Sequence, residues 1–113
     1  MQYTKENAIN LPLLNQANKF AADYFLEINM APDQFVILEK DYDKIFKVPQ
    51  GDDFIYVKLY SFKRVAFKYL SNEDCLLASG KNAADWQWDF VKNRKHLETE
   101  KIILAVYCYQ KLS

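Results

Sequence analysis

The chain has 113 residues, half of them apolar, 27% charged and 16% aromatic, with 15 basic residues against 15 acidic ones. That length and balance fit one globular domain with its own core and exclude a disordered chain. Zero net charge argues against a domain built to grip duplex nucleic acid. No run approaches the ~20 apolar residues of a membrane span, so no membrane partner is expected.

The first predicted element is a helix over residues 10–29. Leu14, Ala17, Ala21, Tyr24, Phe25 and Ile28 recur at helical spacing, behind Asn10 as N-cap and Pro12 in the first turn. Ala31-Pro32-Asp33 stops it, because the residue before proline avoids helical geometry. Strands follow. Residues 34–39 form a short β-prone run, Asp41-Tyr42-Asp43 a turn, and residues 44–48 a second strand closed by Pro49-Gln50-Gly51-Asp52.

Residues 53–62 are the clearest strand. Ile55, Val57 and Leu59 point one way, while Phe54, Tyr56, Lys58, Tyr60 and Phe62 point the other. Residues 64–70 continue the alternation, and the polar stretch 71–81, with Gly80, reads as loop. Over residues 85–91 the alternating Trp86, Trp88 and Phe90 favour a strand, although a short helix capped by Asn82 also fits. The final strand, 101–110, is apolar on both faces and is expected at the centre of the sheet. The sum is an α+β domain: one N-terminal helix on a curved antiparallel sheet of five to six strands.

This layout resembles the cystatin-like architecture in outline, over most of the chain. The family's protease-binding Gln-x-Val-x-Gly hairpin falls at Gln34-Phe35-Val36-Ile37-Leu38, which lacks the glycine. Trp86 and Trp88 are similar to the tryptophan of the family's second loop, without its proline. The resemblance implies a fold and carries no function with it.

Catalytic signatures are scarce. The two glycines form no phosphate-cradling loop. His96, the only histidine, lies in the basic run Lys92-Asn93-Arg94-Lys95-His96, and its spacing to Cys75 and Cys108 matches no familiar metal site. Cys75 follows Glu73-Asp74, whose charge raises a thiol pKa, and Cys108 reads as a small buried hydrophobe. Asp41, Asp43, Asp52 and Asp53 read as solubilising hairpin tips. No cofactor and no catalytic group are expected. Residues 1–20 lack the basic start and apolar run of a secretory signal, so the two cysteines are expected as reduced thiols in a cytoplasmic protein.

Charge is segregated along the chain. Positions 23–53 carry Asp23, Glu27, Asp33, Glu39, Asp41, Asp43, Asp52 and Asp53 against Lys40, Lys44 and Lys47; positions 54–70 carry Lys58, Lys63, Arg64 and Lys68 and no acid. Interleaved with tyrosines, these cations suit a contact surface. The expected anchors are Tyr56, Lys58, Tyr60, Arg64, Lys68, Tyr69, Trp86 and Trp88. The leading expectation is a non-enzymatic protein-binding domain that acts by occlusion, as an inhibitor, immunity factor or adaptor does. Single-stranded nucleic acid is the alternative partner, through rings that stack bases and cations that track phosphates. A small-ligand binder or enzyme with a pocket between helix and sheet is the third reading, and a homodimer is compatible with all three.

Overall fold

A computed structural model describes residues 5–31, 42, 44–94 and 98–112. The domain is α+β with a mixed five-stranded sheet. Its strands are β1 (Ile9–Asn10), β2 (Tyr24–Met30), β3 (Ile45–Gln50), β4 (Asp53–Ala66) and β5 (Ile103–Lys111), in the spatial order β1-β3-β4-β5-β2. Helices α1 (Asn72–Ser79) and α2 (Ala83–Val91) lie between β4 and β5 in the chain. The pairings are antiparallel except for the short parallel contact of β1 with β3.

β5 is central, as its two apolar faces predict. Ala105, Tyr107 and Tyr109 enter one core with Phe25, Phe46, Val48, Val57 and Leu59. Leu104 and Val106 enter the other with Leu26, Ile28, Phe67, Leu70, Cys75 and Ala78. The first core is covered by Phe20, Leu11, Leu13 and Tyr42, and the second by the two helices.

The N-terminal helix predicted over 10–29 is not formed, and the first α-helix follows β4. Tyr24–Met30 instead pairs in unbroken register with β5, from Gln110 to Leu104. Phe25 packs on one face of the sheet, 5.6 Å from the Tyr109 ring, while Leu26 and Ile28 pack on the other. Burial on two faces outweighs a weak local helical preference. Upstream, Ala17 and Asn18 adopt φ of 53° and 55°, a left-handed conformation that a right-handed helix cannot hold. The cystatin-like outline falls with that helix.

Residues 71–81, expected as loop, contain α1. The Ser71 hydroxyl accepts from the Asp74 amide at 3.1 Å, and Gly80, at φ 74°, closes the C-terminal end. Residues 85–91, read as strand, belong to α2. Asn82 Oδ1 accepts from the Asp85 amide at 2.8 Å, and the Trp86 and Phe90 rings, one helical turn apart, stack at 5.3 Å. The alternation expected through Leu70 ends at Ala66, where the chain enters the 3-10 turn Phe67–Tyr69. Pro49 and Gln50 extend β3 and pair with Phe54 and Asp53, so only Gly51 and Asp52 form the hairpin turn. The strand predicted at 34–39, with Asp41, Asp43 and His96, lies outside the described residues.

Element lengths decide what remains uncovered. Fourteen residues make β4 about 40 Å long. Helices of eight and nine residues are each only about 12–14 Å long. The helical layer therefore covers the C-terminal half of β4, and among the described residues no element covers the N-terminal half on that side.

Candidate functional site: the bare half of the sheet

The site begins with a bulge. Leu59 pairs with Tyr109 and Ser61 with Cys108, so Tyr60 has no partner of its own. One extra residue inverts the alternation that follows. Phe62, opposite Tyr107, joins the Leu59 side and lies 5.5 Å from the Tyr42 ring. Arg64, opposite Ala105, points the same way. The aromatic face expected over 54–62 therefore ends at Tyr60, and Arg64 lies on the opposite face from Tyr56 and Lys58.

Before the bulge, Ile55, Val57 and Leu59 turn inward as predicted, and Phe54, Tyr56 and Lys58 line the bare face. Lys47 lies opposite Tyr56, and its ammonium is 5.1 Å from the Phe54 ring centre. Tyr24, from β2, meets Tyr60 edge-on at 5.2 Å. Four rings and two lysines thus share one surface. Tyr60 is 57% exposed, with Tyr24 and Phe54 also exposed. Among the described residues, no carboxylate occupies a strand position on this face.

Of the expected anchors, Tyr56, Lys58 and Tyr60 come together here. Lys68 and Tyr69 lie in the 3-10 turn, where the ammonium is 5.3 Å from the ring and Tyr69 is 72% exposed. Trp86 packs against the helix-side core, and Trp88 projects outward, 65% exposed. Sequence reasoning missed Tyr24, Lys47 and Phe54 as members of the site. The available signal was the Gly51-Asp52 turn: a two-residue hairpin loop fixes a register that places Lys47 opposite Tyr56.

Between this surface and α1 runs a half-open cleft of about 430 Å³. Leu26, Val106 and Cys108 form its floor and Leu77 a wall, and Lys63 pairs with Asp74 at 2.8 Å on the rim. Both thiols are free. Burial, then Asp74, pushes the Cys75 thiol up to about 11. Burial also raises Cys108, against the opposing effect of a hydrogen bond with Ser61. Neither is poised as a thiolate. Among the described residues no three His, Cys, Asp or Glu side chains converge as metal ligands, and no helix is long and apolar enough to cross a membrane.

No protein-family model, curated protein or solved structure matches the chain.

Proposed function

We propose that this is a non-enzymatic binding domain that occludes a partner protein with the bare half of its sheet, as an inhibitor, immunity factor or adaptor does. The observation that carries the reading is the group of Tyr24, Phe54, Tyr56 and Tyr60 on one surface that no described element covers, with Lys47 and Lys58 among them. Rings of this kind bury much area at little cost in side-chain entropy, and tyrosine is a preferred interface anchor. Two free thiols fit a reducing compartment, the cytoplasm, as the place of action.

The test is affinity capture from the source cell with wild type, Tyr60→Ala, Lys58→Glu and Arg64→Glu. A specific partner is expected to be lost with the first two variants and retained with the third, because Arg64 is on the other face. Retention by all three variants overturns the assignment of this surface.

A second reading, single-stranded nucleic acid, is favoured by one observation, the ammonium of Lys47 over the Phe54 ring. Filter binding with labelled oligonucleotides decides it. Retention that declines steeply with salt and disappears in Lys47→Gln supports this reading, and absence of retention at low salt removes it.

A further inference from the structure

The cleft beside α1 extends the same apolar surface. Tyr24 pairs with Gln110 and Leu26 with Cys108, so the Tyr24–Tyr60 ring pair stands one step along the sheet from the cleft floor. At about 430 Å³ the cleft falls in the range of pockets that hold compact apolar groups, about 300–1,000 Å³. Leu77, its outer wall, is 55% exposed although leucine. The polar rim is neutralised internally by the Lys63–Asp74 pair, which leaves the cleft itself without net charge.

We infer that this cleft is the anchor pocket of the binding surface, taking one bulky apolar side chain from an acidic segment of the partner protein. The inference rests on the proposed binding reading and gives it a recognition rule. The cleft is half open and Ser61 in its lining is the chain neighbour of Tyr60, so a free small molecule would leave one flank in water. A side chain whose backbone continues over Tyr60 closes that flank with its own chain. Interface energy concentrates at such desolvated, pocket-filling anchors.

Charge and spacing set the rest of the rule. Lys58 lies three residues from Ser61 at the cleft, and Tyr56, with Lys47 opposite, lies five residues away. At ~3.3 Å per residue, the backbone positions that carry the two lysines stand about 10–17 Å along the strand from the anchor. An extended partner segment therefore carries Asp or Glu about three to five positions from its bulky apolar residue. The charges are complementary to a face that presents lysines and, among the described residues, no carboxylate at its strand positions.

The experiment is selection of a random displayed peptide library on the full chain, followed by fluorescence polarisation with the enriched peptides. Enrichment of one bulky apolar residue with Asp or Glu three to five positions away is expected. Leu77→Glu and Ser61→Trp, which charge and fill the cleft, are each expected to weaken binding by about tenfold or more. Circular dichroism establishes that each variant folds. Leu77 is a surface position, so Leu77→Glu carries the test if Ser61→Trp does not fold. Binding that survives the cleft variants but falls with Tyr60→Ala and Lys58→Glu overturns the anchor pocket and leaves the binding surface standing. Binding indifferent to all four variants overturns both. Failure to enrich the pattern overturns the rule, as does self-association of the chain that Leu77→Glu abolishes, because the cleft then belongs to a second copy.

Discussion

Lys19 is the residue whose environment is most demanding. It is 7% exposed, and its ammonium donates to the carbonyls of Leu26 and Ala78, each at 3.0 Å, while pairing with the Glu27 carboxylate. One side chain thus joins the N-terminal segment, β2 and α1. Removing it strands a half-buried carboxylate and two carbonyls, so Lys19→Met is expected to cost about 3 kcal/mol. Urea unfolding read by tryptophan fluorescence measures that loss, and Glu27→Gln, which keeps an acceptor, is expected to cost less. The thiols supply a pH signature. Folding raises the Cys75 pKa, so above about pH 9 the unfolded chain has released a proton that the folded state keeps. Stability fully present below that pH is lost progressively as the pH rises towards 11, and the raised Cys108 and Tyr107 act with the same sign. Melting temperatures are therefore expected to fall across this window, less steeply in Cys75→Ala. At neutral pH a thiol reagent is expected to find only Cys108, slowly, with Cys75 reacting on unfolding.

Elements as short as α1 and α2 depend on their ends. Ser71 and Asn82 cap them, and Asn72 Oδ1 accepts from the Ala83 amide at 2.8 Å, tying the end of the connection back to the start of α1. Asn82→Ala is expected to cost about 1 kcal/mol. Hydrogen exchange is expected to show the loss in α2 amides while β4 and β5 keep their protection. The caps were written in the sequence, yet the helices were hard to read for a physical reason. α1 buries Cys75 and Ala78 while exposing Leu76 and Leu77, so no polar face marks it. In α2, Trp86, Trp88 and Phe90 alternate like a strand although the contact that matters, Trp86 on Phe90, is one of helical spacing. β2 misled in the opposite sense, because a strand apolar on both faces can mimic a helical stripe. β5 was legible as a central strand since its composition admits little else, and the inward turn of Ile55, Val57 and Leu59 was legible from alternation alone. The bulge carries no compositional mark. Tyr60 is an ordinary strand residue, and nothing before pairing with β5 reveals that it inverts Phe62 and Arg64. Simple alternation therefore puts Tyr56, Lys58 and Tyr60 on one face but cannot put Arg64 on the other.

At the scale of the molecule the fold is a slab of 42 × 30 × 22 Å. Its shortest dimension matches a sheet with a packed layer about 10 Å away on each face. Exposed rings on such a slab raise the question of what prevents two copies from joining through them. A symmetric pair would use the same patch twice, bringing Lys47 and Lys58 of one copy against those of the other. The rings attract and the lysines repel, and repulsion is screened by salt while ring burial is not. The expected state at low salt is therefore a monomer of 13.4 kDa by light scattering. Lys47→Gln combined with Lys58→Gln removes the repulsion and keeps the rings, so this variant is expected to self-associate where wild type does not. Adding Tyr60→Ala is expected to return it to monomer. A wild-type dimer indifferent to salt would mean that the lysines do not oppose pairing, and the case for an acidic partner would lose its electrostatic support. Monomeric wild type with a self-associating lysine variant places the selectivity of the surface in those two charges, which admit a partner bearing carboxylates and hold identical copies apart.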